Sequence, residues 1–188
     1  MSDFPEFQGF RKIARLSREI IITEKIDGTN GLIYIDEQNN IFAGSRNRWL
    51  WGSVEPDKME NNHGFAAWVK ENQTELLKLG KGHHYGEWWG KGIQRGYGVE
   101  EKRFSLFNVS RWSDDSVRPK CCYVVPILGK LEFNTEKIDC LLEWLKAHGS
   151  VAVPNFMNPE GIVIYHTAGG VSFKKTIEND DKGKDENK

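Results

Sequence analysis

Residues 23–30, Thr23-Glu24-Lys25-Ile26-Asp27-Gly28-Thr29-Asn30, carry the chemistry around which the rest of the chain can be read. The aliphatic run Ile20-Ile21-Ile22 ahead of them predicts a buried strand. Such a strand delivers one lysine to its mouth. Desolvation there, or a neighbouring cation, would lower the pKa of the amine and expose its lone pair as a nucleophile. Asp27 shares a side with Lys25 if the extended path continues, and could orient the amine or hold a metal ion through water. Gly28 suits a sharp turn. Taken alone, Lys-x-Asp-Gly fits a solvated pair at a strand end equally well, so the motif needs partners elsewhere in the chain.

The elements that must position this lysine follow from pattern. Residues 31–35 and 41–45 flank a polar turn and predict a hairpin. Residues 46–62 hold glycine, proline and aromatics without a period, which predicts a long loop of the functional kind. Phe65, Val69, Leu76 and Leu79 fall on one helical face that Gly80 would end. Residues 84–89 predict a strand, and residues 90–98 a glycine-rich loop with Lys91, Gln94, Arg95 and Tyr97. Residues 103–112 and 121–128 predict two further strands. Ile138, Leu141, Leu142 and Leu145 mark a second amphipathic helix between Thr135 and His148, with Gly149 as its stop. Residues 161–165 and 171–176 close the chain as a strand pair turning through Gly169-Gly170. The expected organisation is one domain over residues 1–177 and a charged, disordered tail over 178–188.

Composition narrows the function. Twenty-six basic and 27 acidic residues leave a formal charge of −1, so a nucleic-acid surface must be a local patch. No signal peptide and no membrane-length apolar run is present, which predicts a soluble cytoplasmic protein with no membrane partner. The odd number of cysteines, Cys121, Cys122 and Cys140, predicts reduced core residues. A zinc site combining His83 and His84 with the cysteine pair is the weaker reading, since adjacent residues chelate one metal poorly.

Six stretches together carry a resemblance. Thr23 to Asn30 resembles the nucleotidyl-lysine motif of the covalent nucleotidyltransferases, and most closely that of ATP-dependent RNA ligases. Gly44-Ser45-Arg46-Asn47-Arg48 is similar to the Ser-Arg motif that follows it. Tyr85-Gly86-Glu87-Trp88-Trp89-Gly90, with Gly92 to Tyr97, resembles the third motif and its extension. Residues 104–109 resemble the strand bearing an adenine-stacking aromatic. Pro159-Glu160-Gly161 and residues 162–165 resemble the fourth motif, and Phe173-Lys174-Lys175 the fifth. The set spans roughly residues 20–176 in the family's order, which one motif alone could not establish.

The resemblance implies an α+β nucleotidyltransferase fold, the ATP-grasp-like ligase core, with antiparallel sheets, flanking helices and an ATP pocket between the sheets. It implies ligation of RNA 3′-hydroxyl and 5′-phosphate ends, with ATP and Mg2+ (Mn2+ as an alternative) as cofactors. Lys25 is implied as nucleophile, with Lys174 and Lys175 as the phosphate-binding pair. Glu24, Asp27, Glu87, Phe107 and Glu160 are implied as nucleotide-binding, Glu87 on the ribose and Phe107 on adenine. Glu160 and Asp27 are implied as metal ligands, and Arg46 as the reader of the RNA 5′-phosphate. The family usually separates its two final lysines by one residue. Here they are adjacent and a strand can turn only one inward, for which Lys174 is the better choice.

The chain ends soon after the fifth motif, which leads to the expectation of a bare catalytic core and a separate RNA-binding partner. Trp49, Trp51, Arg48, Arg95 and Tyr97 interleave aromatic and basic side chains around the motifs, which suits stacked single strands. A loop tucked by its tryptophans against the sheet accounts for them equally. A DNA nick ligase, a GTP-dependent capping enzyme and a non-catalytic RNA-binding module remain as alternatives.

Overall fold

Strand β1 (Glu19–Lys25) sits between β9 (Gly161–His166) and β8 (Ile127–Glu132), with β10 (Val171–Thr176) outside β9, in an antiparallel sheet. The computed structural model describes residue 6, residues 8–10 and residues 12–180. Most of the expected tail, from residue 181, lies outside the described residues. Alternation gives β1 two working faces. Ile20 and Ile22, with Ile162 and Ile164, pack against Ile138, Leu142 and Leu145 of α4 (Thr135–His148). Burying each such side chain stabilises the fold by roughly 1.5–3 kcal/mol. Asn134 starts α4 by accepting the Lys137 N–H at 2.9 Å. Gly149 ends it at φ 82°, a conformation that only glycine takes freely. The other face of the sheet, with Thr23 and Lys25, is left for the site.

The second sheet has the order β4-β3-β2-β5-β6-β7. Its strands are β2 (Thr29–Ile35), β3 (Ile41–Gly44), β4 (Trp49–Gly52), β5 (Gly82–Gly90), β6 (Lys102–Leu106) and β7 (Cys122–Val124). Ile33, Ile35, Trp88, Phe104 and Leu106 cover one face and meet Phe65, Val69, Leu76 and Leu79 from the helical segment. A third cluster, with Ile21, Ile26, Trp89, Tyr97, Val109 and Val125, joins the two sheets at one end. It holds them together while leaving them open further along.

Several expected boundaries are corrected. The predicted strand over 103–112 is β6 followed by a short helix, α3 (Val109–Trp112), because Asn108 caps it by accepting the Arg111 N–H at 3.1 Å. The predicted strand over 121–128 is two strands in different sheets. The chain crosses between them at Val125-Pro126, where the Pro126 carbonyl accepts the Glu24 N–H. As a result β7 pairs with β6 in parallel, an exception to the antiparallel expectation.

The loop over 46–62 contains β4. The single helix expected from Phe65 to Leu79 is α1 (Phe65–Glu71), α2 (Gln73–Leu76) and a 3-10 turn (Leu77–Leu79). It breaks at Asn72, whose side-chain amide donates to the Trp68 carbonyl at 2.8 Å. Cys121 and Cys122 are buried or half-buried, but Cys140 is exposed on α4 rather than in the core, and all three are free thiols. No helix among the described residues is long and apolar enough to cross a membrane.

Candidate active site

The two sheets enclose a cleft of about 1330 Å³, lined by Thr23, Lys25, Arg46, Glu87, Phe107 and Lys174 among others. Lys25 ends β1 with its side chain only 19% exposed. Its Nζ donates to the carboxylate of Glu160, which lies 135 residues later in the chain and is itself buried. The strand register places the final motif on the same face. Thr23 pairs with Val163, and Val163 with Lys174. Lys174 therefore lines the cleft, whereas Lys175 donates to Asp139 on α4 and is turned away from it. That contact raises the Lys175 pKa.

The turn after Lys25 is held from several sides. The Asp27 N–H donates to the Tyr97 hydroxyl at 2.9 Å, and Gly28 N–H to the Glu87 carboxylate at 3.0 Å. Gly28 is needed for close approach rather than for a left-handed turn. A Cβ there would lie 2.5 Å from the Trp88 carbonyl oxygen and 2.8 Å from the Trp89 Cβ. Asp27 is nearly buried, with Oδ2 3.2 Å from Arg95 Nε. That nitrogen makes no aligned hydrogen bond, so this contact is ionic. Arg95 Nη1 also donates to Asn158 Oδ1 at 2.7 Å, which ties the lysine turn to the segment leading into Glu160. Burial, seconded by the charges of Glu24, Asp27 and Glu160, pushes the Tyr97 phenol well above its usual range and keeps it protonated.

Glu24, next to Lys25, has both carboxylate oxygens engaged. Oε1 accepts from the Ser150 hydroxyl at 2.6 Å, and Oε2 from the Val151 and Ala152 N–H groups at 2.8 and 2.9 Å. Burial raises its pKa against the pull of those three donors. Its carboxylate therefore serves the loop over 150–152, a use that the expectation of a nucleotide contact did not include.

Phe107 is 41% exposed and lines the cleft, while Phe104 is fully buried in the core. Arg46 Nε donates to Asn30 Oδ1 at 3.0 Å. The orienting role of Asn30 was missed, although it stands inside the lysine motif. Of the interleaved aromatics, Trp51 and Tyr97 are core residues and Trp49 is half exposed.

No group of three or more potential metal-ligating side chains is assembled among the described residues. His84 Nε2 is hydrogen-bonded to the Gly80 carbonyl at 2.7 Å, and His83 stacks on Tyr34. The two imidazoles are thus separately engaged, not joined in a zinc site with the cysteines.

Comparisons with known proteins bear on the family and the fold. A profile described as RNA ligase matches residues 18–176. A sequence search of curated proteins finds no match. Among solved structures, a mutant Naegleria gruberi RNA ligase with ATP and Mn aligns with a TM-score of 0.61 and 20% identity, over 93% of this chain and 58% of that one. An apo mutant of the same ligase gives 0.60 and 22%, over 92% and 57%. A further mutant with ATP and Mn gives 0.59 and 22%, over 84% and 48%. The chain spans about half the length of these solved relatives.

Proposed function

The chain belongs to the RNA ligase family, and from that premise we propose that it seals RNA 3′-hydroxyl and 5′-phosphate ends at the expense of ATP through a lysyl-AMP intermediate on Lys25. The observation that carries this reading is convergence. Lys25, Arg46, Glu87, Phe107 and Lys174 come from both sheets and line one cleft.

In the first step Lys25 Nζ forms a bond to the α-phosphorus of ATP as the bond to pyrophosphate breaks. The amine must shed a proton before it can attack, and Glu160 contacts the atom that carries it. Lys174 supplies positive charge to the phosphate oxygens, where charge builds in the transition state. Phe107 offers its face to adenine, and Glu87, fixed by the Gly28 N–H, meets the ribose.

In the second step an RNA 5′-phosphate takes AMP from Lys25, with the Arg46 guanidinium suited to hold that phosphate. In the third, an RNA 3′-hydroxyl attacks the activated phosphate and AMP leaves. Mg2+ or Mn2+ needs only one or two carboxylates when phosphates complete its shell. Buried Glu160 beside Nζ fits that role, whereas the Asp27 carboxylate is engaged by Arg95. Bound there, the ion would neutralise charge on the phosphate oxygens.

Incubation with Mg2+ and either ATP or GTP labelled at the α-phosphate, followed by a denaturing gel, tests the first step. Label retained from ATP and chased onto 5′-phosphorylated RNA is the expected result. Retention from GTP alone would indicate capping chemistry. No retained label would indicate a binding module. Transfer to DNA nicks in preference to RNA would indicate a DNA ligase.

A further inference from the structure

Away from the lysine, the cleft-side face of the six-stranded sheet carries a run of aromatic rings that the three steps above do not use. The ladder orders them. Asn30 pairs with Glu87 across β2 and β5, then Leu32 with Tyr85, then Tyr34 with His83. Side chains two apart along a strand share a face and stand ~7 Å apart, so Tyr34 and His83 lie ~14 Å beyond the Asn30–Glu87 pair. Their rings form a column. Tyr34 stacks on His83 with centroids 4.5 Å apart and planes at 30°, and His83 on Tyr85 at 6.1 Å and 11°.

Phe42 and Trp49 extend the column across the outer strands, with centroids 5.8 and 6.1 Å from Tyr34. Glycines make room for both. A Cβ on Gly52 would meet the Phe42 ring at 2.7 Å, and one on Gly44 the Trp49 ring at 3.2 Å. The two ends are open, with Tyr85 57% and Trp49 51% exposed.

Cross-strand aromatic pairs stabilise a sheet, but stability alone gives no reason for both ends to stand half open. The run contains two phenols and an imidazole and no carboxylate. Tyr85 and His83 line the cleft together with Arg46. Arg48 is at the Trp49 end, paired with Glu60 at 2.9 Å. An aromatic column continuous with a cleft that Arg46 and Arg48 line matches the needs of a nucleic-acid strand, whose bases stack while cations hold its phosphates.

We infer that this column is a binding track for unpaired RNA, which takes bases by stacking and leads the strand to the end docked at Arg46. The inference rests on the ligase reading above and adds to it a substrate class with unpaired nucleotides beside the break. Every base has a π-face, so the track is tolerant of sequence. Stacking a base on an aromatic contributes ~1–3 kcal/mol, or ~5-fold to ~150-fold in affinity.

The test titrates the full chain, without ATP, into labelled 5′-phosphorylated single-stranded RNA and into a blunt duplex of the same length. Trp49→Ala and His83→Ala are expected to weaken single-strand binding by ~5-fold to ~150-fold each. Trp49→Phe should retain most of the affinity, and duplex binding should be nearly unchanged in all variants. Unlabelled single-stranded RNA should also quench the part of the tryptophan emission that Trp49→Phe removes.

Unchanged single-strand affinity in the alanine variants would overturn the inference. So would losses that also appear in Trp49→Phe and follow the melting temperature, or a changed oligomeric state with no effect on RNA, which would assign the face to a protein partner. Lysine labelling of the wild-type chain by ATP is measured alongside. Its absence would sink the ligase reading while the RNA titration still decides the track.

Discussion

Lys174 and Lys175, adjacent on β10, leave the strand on opposite faces. Lys174 enters the cleft, and Lys175 donates to Asp139 on α4. The register explains why. Lys174 shares a rung with Val163 and Thr23, and Thr23 is two residues before Lys25 on the same face. Two strand spacings across and two residues along put the Lys174 and Lys25 Cα atoms on the order of 10–12 Å apart. Two lysine side chains can meet around one phosphate over that span. Lys175 shares its rung with Ile162 and faces the helix.

Lys174→Ala should therefore slow lysine adenylylation by orders of magnitude, while Lys175→Ala should leave it within a few-fold of wild type. Neither should change the melting temperature much, since an exposed pair such as Lys175–Asp139 contributes about 0–1 kcal/mol. Single-turnover labelling with ATP checks both, and equal defects would remove the distinction between the two lysines.

The parts of the fold legible in the sequence were those governed by period and punctuation. The run Ile20 to Ile22 and the helix from Thr135 to Gly149 were readable because apolar spacing and a stop residue agree there. The misread parts were decided by long-range contacts or by single caps. Residues 121–128 form one apolar run, and although Pro126 marks a break in it, nothing local says that Val124 belongs to one sheet and Ile127 to the other. Asn108 carried a capping signal that ended β6, but the apolar residues Val109 and Trp112 masked it. Motif pointed to Lys25, Arg46, Glu87, Phe107 and Lys174, and all five line the cleft. The engagement of Glu24 with Ser150 and of Arg95 with Asn158 could not be seen, because the partners are far apart in the chain.

Gly28→Ala should cost stability and chemistry together. The added Cβ would press on the Trp88 carbonyl at 2.5 Å and on the Trp89 Cβ at 2.8 Å, both fixed in a core strand. The lysine turn must then lift away from β5, which breaks the bond from the Gly28 N–H to Glu87. A loss of about 1–3 kcal/mol in urea unfolding is expected, with slower lysine labelling. An unchanged unfolding midpoint would show that the turn has slack the geometry does not suggest.

His84 makes stability depend on pH. It is buried on β5, with Nε2 donating to the Gly80 carbonyl. Burial lowers its pKa below 6.5, opposed by the Gly80 bond and seconded by the charges of Arg111 and His83. The unfolded chain therefore binds the proton at a higher pH than the folded one. The stability tied to neutral His84 is complete above about pH 6.5 and is lost as the pH falls from there through the folded value. His84→Gln, which can still donate to Gly80, should flatten the decline between about pH 7 and about pH 5. Urea unfolding of both proteins across that window is the check, and identical slopes would exonerate His84.

Arg46 separates activation from sealing. Its Nε is held by Asn30 at 3.0 Å, and its side chain lines the cleft. That leaves the two terminal amino groups of the guanidinium available for a phosphate. Hydrogen bonds to charged groups contribute about 1.5–3 kcal/mol each, so loss of the contact should slow RNA-dependent steps by on the order of tenfold to several hundredfold. Lysyl-AMP formation needs no RNA and should change much less. Arg46→Ala should thus take label from ATP yet pass AMP to 5′-phosphorylated RNA slowly, and Arg46→Lys should recover only part of the loss. Asn30→Ala, which frees the guanidinium without removing it, should give a smaller defect in the same step. If Arg46 serves only to tie the β3–β4 turn to β2, labelling, AMP transfer and melting temperature will fall in parallel in Arg46→Ala. Measuring all three on one preparation separates a phosphate-docking arginine from a structural one.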